Sequence, residues 1–222
     1  MSAPQESSGE QVNEASEGLS REMEEAFSGA VAEKDEASLL LVVLRDVAIA
    51  SGLLSLFAGA EVWATLSGAS FASLLSVLDG FLVGAATCAL AHEWGHFAGA
   101  RLGGGHAPLK PVSGFLPLFD FDYANNGKRA YEWMGIGGNL GHVAIPLVYF
   151  LALPMQGPGQ AALVAGAAGF AVFSSIIEWP VIQKSRAGMG ALESLGTIPR
   201  NFVQRTTPWA VGSALLLFLL VM

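Results

Sequence analysis

Apolar and polar positions alternate along this chain in long blocks rather than residue by residue. After residue 37, five apolar stretches follow one another, separated by shorter connections that are polar or rich in Gly and Pro. An α-helix needs about 20 apolar residues to cross about 30 Å of hydrocarbon, and all but the last stretch reach that length. The stretches cover residues 38–60, 71–101, 131–153, 159–182 and 208–222. This pattern predicts an all-α, polytopic bundle of about five transmembrane helices.

The connection at 101–130 has a different pattern from the rest of the chain. Three consecutive glycines end the preceding helix, and the prolines that follow prevent a continuous one. Residues 112–116 and 119–123 suggest two short extended pieces, and an Asn-Asn-Gly turn signal follows at 125–127. We expect a short extended hairpin that lies on one face of the bundle or dips into it.

Composition supports the membrane interpretation and divides the chain in two. The sequence is 52% hydrophobic and only 14% charged, and its mean hydropathy is +0.49. The formal charge of −8 belongs to residues 1–36, which hold ten acids and two bases, whereas the rest holds nine of each. We therefore predict a disordered acidic tail at 1–37, to which a partner could bind, and a membrane-embedded domain at 38–222. The neutral domain makes nucleic acid an unsuitable partner, and the single Cys88 excludes an intrachain disulfide.

The distribution of basic residues orients the predicted bundle. Ten of the eleven Lys and Arg residues lie in the N-terminal segment or near the connections 101–130 and 183–207. The alternate connections, 61–70 and 154–158, contain none. By the positive-inside rule the basic segments and the N-terminus face the cytoplasm. We expect a multi-pass protein of a bacterial cytoplasmic membrane, with the lipid bilayer as its surroundings.

Residues 92–96 at the end of the second stretch read His-Glu-Trp-Gly-His, the HExxH pattern. Positions i and i+4 share one face of a helix, so His92 and His96 can bind one zinc ion. Glu93 lies at the edge of that face, where it can contact a water without being a ligand. A Lewis acid, a water and a carboxylate that takes its proton are what a zinc hydrolase requires. Ionisable groups within a span are costly, so their presence here points to function.

The depths of the polar residues on three helices agree. At about 1.5 Å of rise per residue, His96 lies about 7 Å and His92 about 13 Å inside the expected cytoplasmic boundary. By the same count Glu178 and Asn139 lie about 9 Å deep and His142 about 13 Å deep. One shared site is the simplest explanation of these matching depths. Glycines spaced four apart, at 95, 99 and 103 and at 137 and 141, predict close approach of the two helices that carry them.

Over residues 71–182 the chain resembles the site-2 protease family of intramembrane zinc metalloproteases. The similarity consists of the HExxH helix, the Gly- and Pro-containing segment after it, and a following helix that opens Gly-Gly-Asn-Leu-Gly-His at 137–142. The resemblance implies that His92 and His96 bind zinc and that Glu93 is the general base. It also implies that a segment such as 109–123 holds the substrate as an added strand. Asn139 or His142 would supply the polar group near the scissile bond.

The third metal ligand departs from the family pattern. The family supplies it as Asp in an Asp-Gly motif on a later helix, but the only Asp-Gly of this chain, at 79–80, precedes HExxH. Glu178 is our substitute, because it lies on the corresponding helix at the corresponding depth, beside a proline that loosens backbone hydrogen bonding. His142 is the competing ligand. An acid near a helix end can also be simply interfacial, so the ligand role of Glu178 stays open.

The sequence therefore favours a zinc metalloendopeptidase that cleaves membrane-embedded or membrane-proximal peptides near the cytoplasmic face. In this hypothesis Glu93 moves the proton, Asn139 or His142 stabilises the oxyanion, and His92, His96 and Glu178 hold zinc. The first alternative is a non-catalytic membrane scaffold, or pseudoprotease, that keeps a structural metal or none. The second is a membrane di-iron oxygenase or desaturase, which requires many more imidazoles than the four histidines of this chain.

Overall fold

The computed structural model describes residues 38–110 and 117–222, and within them the fold is an α-helical bundle. The prediction for the acidic tail at 1–37 lies outside the described residues. Six helices lie in the described part of the chain. They are α1 (Leu39–Ser67), α2 (Ser70–Leu102), α3 (Lys128–Ala152), α4 (Pro158–Arg186), α5 (Ala191–Gly196) and α6 (Phe202–Val221).

Four of these helices, α1 to α4, are long and apolar enough to cross a membrane. Large apolar side chains are exposed along them, including Leu56 on α1, Leu82 on α2 and Leu151 on α3. Water does not favour such surfaces, whereas hydrocarbon does. The chain is therefore an integral membrane protein, and the prediction of an all-α membrane bundle is confirmed.

The apolar stretch at 208–222, the fifth span of the sequence prediction, lies in a helix that begins before it, and its crossing of the membrane stays a prediction. This stretch belongs to α6, which begins six residues earlier at Phe202 and contains Pro208. Polar residues of its first turns, such as Gln204 and Arg205, are part of the helix. Because of them α6 is not among the four helices apolar enough to span. The apolar pattern located the last stretch but missed the polar beginning of its helix.

Helices α2 and α4 form the centre of the bundle. Helix α2 packs against α1, α3 and α4, and α4 also packs against α3, α5 and α6. In their most apolar windows, 56% of α4 residues but only 11% of α1 residues are buried. The central helices can therefore hold polar side chains away from lipid, while α1 lies at the periphery.

Glycines allow α2 and α3 to approach closely, as the spacing of small residues predicts. A Cβ on Gly95 would collide with the carbonyl oxygen of Gly137, and one on Gly99 would collide with that of Trp133. Any larger residue at these positions would push the helices apart. This contact brings the backbone of α3 against the HExxH turn of α2.

The described part of the connection between α2 and α3 contains less strand than predicted. Leu109 and Phe119 form an isolated antiparallel bridge. Two hydrogen bonds flank it, from Lys110 N to Leu118 O (3.1 Å) and from Asp120 N to Pro108 O (2.9 Å). The predicted piece at 112–116 lies outside the described residues. The piece at 119–123 is extended only at its start, because its end forms a turn around Asp122.

Candidate metal centre

Side chains from α2 and α4 meet at one point inside the bundle. Nε2 of His92 lies 3.0 Å from Nε2 of His96, which is one helical turn further along α2. Oε1 of Glu178 on α4 lies 2.9 Å from the first nitrogen and 3.1 Å from the second. Among the described residues these three form a group with the spacing needed to hold a metal ion. The structure thus brings together the two histidines and the glutamate that the sequence suggested.

Backbone carbonyls decide which imidazole nitrogens carry hydrogen. Nδ1 of His92 lies 3.1 Å from the carbonyl oxygen of Gly138, and Nδ1 of His96 lies 2.9 Å from that of Met134. A carbonyl oxygen only accepts hydrogen bonds, so each Nδ1 must be the donor. In a neutral imidazole the other nitrogen then has a lone pair. Two Nε2 lone pairs and a carboxylate oxygen consequently converge.

Three converging acceptors are stable only around positive charge, and the donor set fits a metal ion. Ligands about 2.0–2.1 Å from zinc in tetrahedral geometry lie about 3.3 Å from one another. The three observed separations, 2.9 Å, 3.0 Å and 3.1 Å, are slightly shorter than this. Two imidazoles and one carboxylate are also a common ligand set of catalytic zinc, which leaves a fourth position for water. Imidazoles that donate their other N–H to a carbonyl are the usual arrangement around such ions.

A hydroxyl and an amide complete the surroundings of Glu178. Oγ of Ser174, one turn before Glu178 on α4, lies 3.3 Å from Oε1 and 3.3 Å from Nε2 of His92. A hydroxyl has one proton, so it can satisfy only one of these acceptors. Nδ2 of Asn139 donates to Oε2 of Glu178 at 3.0 Å. Because Asn139 holds Oε2 of Glu178, the other carboxylate oxygen, Oε1, is directed at the two imidazoles.

The amide of Asn139 has two acceptors within the protein. Its nitrogen also donates to the carbonyl oxygen of Gly135 at 3.0 Å. Both protons of the amide therefore have acceptors, one on Gly135 and one on Glu178. In this structure the amide thus holds the carboxylate of Glu178, and the role of Asn139 as an oxyanion donor stays a prediction.

His142 lies behind the cluster rather than in it. The side chain is fully buried, and its Nδ1 lies 3.0 Å from Nδ1 of His92, on the side away from Glu178. Its Nε2 lies 2.9 Å from Oγ of Ser175. The group of three converging ligand atoms does not include His142, and its predicted role near the scissile bond stays a prediction. The residue supports the ring of His92.

Glu93 faces a cavity of about 330 Å³ that also reaches His96 and Glu178. Oε2 of Glu93 accepts a hydrogen bond of 3.1 Å from the backbone N–H of Leu118, in the extended connection. The wall of the cavity is largely aromatic and apolar; it includes Phe119, Phe121, Tyr123, Tyr131, Met134 and Leu195. A carboxylate that is not part of the three-residue group thus lies beside it, on a cavity large enough for a bound molecule.

The short helix α5 covers one side of this cavity. Ser194 on α5 is fully buried, and its Oγ lies 2.9 Å from the hydroxyl oxygen of Tyr131 on α3. Leu195 and Ile198, on either side of the end of α5, line the cavity. The connection between α4 and α6 is therefore fixed to α3, where it encloses the space next to Glu178.

Other titratable residues of the α2–α3 connection have structural partners. Asp120 pairs with Lys110 at 3.0 Å. Asp122 accepts hydrogen bonds from the backbone N–H groups of Ala124 and Asn125 and from the Asn125 side chain. The side-chain bond from Asn125 is the main cause that lowers the pKa of Asp122. These contacts give both aspartates partners within the connection itself.

Sequence reasoning missed the hydroxyl and carbonyl groups around the histidines. Ser174 precedes Glu178 by four residues, so helical spacing could have placed it on the same face. Ser175 is its neighbour and carries no such signal for a contact with His142. The carbonyls of Met134 and Gly138 have no side-chain signature at all, since every residue has one. Their role depends on the close packing of α3 on α2.

No protein-family model matches this chain, and neither the curated proteins nor the solved structures contain a significant match.

Proposed function

We propose that this protein is a zinc-dependent intramembrane peptidase. The observation that carries the proposal is the convergence of His92 Nε2, His96 Nε2 and Glu178 Oε1 within 3.1 Å of one another, beside a cavity that holds Glu93. Similarity of the HExxH helix and its surroundings to the site-2 protease family supports the same activity. The substrates would be peptide segments within or next to the bilayer.

In this proposal the chain's own residues hold the ion and move the proton. His92, His96 and Glu178 would be the ligands. A zinc ion bound there supplies Lewis acidity, which makes water a stronger acid and polarises a carbonyl. Glu93 accepts the proton of the attacking water and later delivers it to the leaving amine. Asn139 keeps Glu178 in position, and His142 keeps the ring of His92 in position.

The cavity and the extended connection support a peptide as the substrate. The aromatic wall suits an apolar side chain from a membrane segment. In the part of the chain that the structure describes, residues 118–120 form main-chain hydrogen bonds with residues 108–110, and a peptide could add along their other edge in the same way. The backbone N–H of Leu118 is held by Glu93. A peptide that adds along this segment would therefore come close to the general base.

The site lies toward the basic end of the bundle. Arg101 lies in the last turn of α2, Lys128 begins α3, and Lys184 and Arg186 lie in the last turn of α4. The positive-inside rule would place this end, and with it the N-terminus, in the cytoplasm. Cleavage on the cytoplasmic side of a bacterial inner membrane is part of the proposal.

The test compares metal content with turnover in the full chain purified in detergent. We expect about one zinc per chain in the wild type and in Glu93→Gln, and little in Glu178→Gln. Peptidase activity against a panel of apolar membrane-segment peptides should fall by about 10²-fold or more in Glu93→Gln, since the general base is lost. Glu132→Gln is the matched control, because Glu132 lies on α3 in an ion pair with Lys128 and has the same side-chain exposure of 22% as Glu178.

Three outcomes would contradict the proposal. Equal turnover in Glu93→Gln and wild type would show that Glu93 is not a general base and would favour a membrane scaffold. Zinc retained in full by Glu178→Gln would show that Glu178 is not the third ligand. Two irons per chain would favour the oxygenase, although the described part of the chain offers one group of only three converging ligands.

A further inference from the structure

A second groove lies between α4 and α6, under the connection at 197–199. Its volume is about 370 Å³, and it is separate from the candidate metal centre although Ile177, Val181 and Ile198 border both. Polar side chains and apolar side chains line different parts of it. The polar members are Lys184, Thr197, Arg205 and Thr206; the apolar members include Ile176, Pro180, Phe202 and Trp209.

The polar and apolar parts lie at different depths along the helices. Lys184 is in the last turn of α4, and Ile176 lies about 12 Å further into the bundle at 1.5 Å of rise per residue. On α6, Arg205 is in the first turn and Trp209 follows one turn deeper. Trp209 is 70% exposed, as is typical of an aromatic side chain at a membrane interface. The groove therefore changes from cationic to apolar as it enters the hydrocarbon.

No acidic residue lines this groove to balance its two cations. Within residues 38–110 and 117–222, neither Lys184 nor Arg205 forms an ion pair. The surrounding segment 184–205 contains four bases, with Arg186 and Arg200 outside the groove, and one acid. That acid, Glu193, accepts a hydrogen bond from Gly190 N in the turn before α5. Positive charge at the mouth of the groove is thus left for an external anion.

We infer that this groove binds an anionic phospholipid. The phosphate would lie between Lys184 and Arg205, and an acyl chain would follow Ile176, Pro180 and Trp209 into the bilayer. Basic pockets between transmembrane helices at the cytoplasmic interface suit such headgroups. The groove has basic side chains at its mouth and apolar side chains further in. A molecule with an anionic end and an apolar end matches this arrangement, whereas a soluble anion matches only the basic part. The inference is independent of the proposed peptidase activity.

Lipid binding to the full chain in a neutral detergent tests the inference, with native mass spectrometry as the measurement. The probe is phosphatidylglycerol, and phosphatidylcholine with the same acyl chains is the neutral reference. We expect the wild type to prefer phosphatidylglycerol. The double variant Lys184→Ala/Arg205→Ala should lose about 30-fold in affinity, because each basic side chain contributes separately to holding the headgroup.

The control removes two bases from the same segment outside the groove. Arg186→Ala/Arg200→Ala changes the net charge equally but should keep the affinity of the wild type. Lys184→Arg/Arg205→Lys, which keeps both charges, should restore binding and shows that loss in the alanine variant is not misfolding. Equal losses in the two alanine variants would mean general charge attraction and would overturn the specific groove.

Two further results would also overturn the inference. A wild type without preference between the two lipids would mean that something else fills the groove, such as the acidic N-terminal segment. Glycerophosphoglycerol, which has the headgroup but no acyl chains, should compete poorly. If it competes as well as the whole lipid, the groove is an anion site in which the apolar part has no role.

Discussion

Asp46 on α1 and Glu178 on α4 are carboxylates inside the same bundle, but their neighbours differ in kind. Asp46 accepts hydrogen bonds from Nε of Arg45 at 2.7 Å and from the indole N–H of Trp94 at 2.9 Å. Both of its oxygens meet donors, and its charge meets a guanidinium. Oε1 of Glu178 instead meets two imidazole nitrogens whose protons are on the other side of each ring.

The difference shows which buried carboxylate points to a ligand. Burial alone does not, since Asp46 is 3% exposed and forms a complete structural contact that fixes α1 to the HExxH turn. The nature of the neighbours does. Both oxygens of Asp46 meet N–H donors, whereas Oε1 of Glu178 faces two imidazole lone pairs, and such a meeting of acceptors needs a cation. The comparison predicts that changes at Asp46 affect stability and that changes around Glu178 affect metal binding.

The largest effect is expected from Asp46→Ala. This change leaves Trp94 Nε1 without its acceptor and removes the charge partner of Arg45 in a buried place, which costs about 3–5 kcal/mol. Thermal unfolding in detergent should show a strongly lowered midpoint. Asp79→Ala on α2 is the control, because Asp79 is half-buried and makes no ion pair with the described residues. Equal shifts in the two variants would show that the Asp46 contact does not hold α1 in place.

A smaller effect on stability, together with a large one on metal content, is expected from Gly138→Ala. A Cβ on Gly138 would collide with the imidazole of His96. The ring must move or α3 must shift, at a cost of about 1–3 kcal/mol, and His96 Nε2 then leaves the point where the three ligands meet. Elemental analysis should show zinc lost. Gly59→Ala on α1, where a Cβ meets nothing within 4 Å, should keep it. Zinc at wild-type level in Gly138→Ala would mean that the position of this ring does not determine binding.

The smallest change is expected from Asn139→Ala, which removes the donor to Oε2 of Glu178. Loss of such a supporting contact typically lowers metal affinity by about 10–100-fold. Competition with a zinc chelator would measure it, and the fold should remain intact because the amide makes only two hydrogen bonds. Asn139→Asp is the informative second variant, since its carboxylate would repel Glu178 where the amide donates. An unchanged zinc affinity in both variants would show that the contact of Asn139 with Glu178 does not contribute to metal binding.

The helices of the bundle could be predicted from the sequence, whereas their ends could not. Apolar runs located α1 to α4, yet α1 continues to Ser67 and α6 begins at Phe202. A helix can continue through polar residues outside the hydrocarbon. A search for apolar runs does not detect that part of the helix. The extended piece at 119–123 was overestimated because Asp122 accepts hydrogen bonds from the backbone N–H groups of Ala124 and Asn125, which turns the chain where the strand was expected to end.

The meeting of His92, His96 and Glu178 could be predicted from depth, because three helices in one bilayer share a common scale. The contacts of Asn139 and His142 could not. Depth places a residue at a level but gives no rotation about the helix axis, so His142 was expected beside the metal position and lies behind His92. Rotation depends on the packing of α3 against Gly95 and Gly99, which only the three-dimensional contacts reveal.

The acceptors that orient the two imidazoles are main-chain atoms, the carbonyls of Met134 and Gly138. No amino-acid replacement deletes a backbone carbonyl. Most substitutions in α3 would therefore leave unchanged which nitrogen of each imidazole carries the hydrogen. The sensitive positions are instead the glycines that set the distance between the backbones of α2 and α3. In a saturation mutagenesis map, the region would therefore show intolerance at residues without side chains, and position 134 could change its side chain while its oxygen still holds His96.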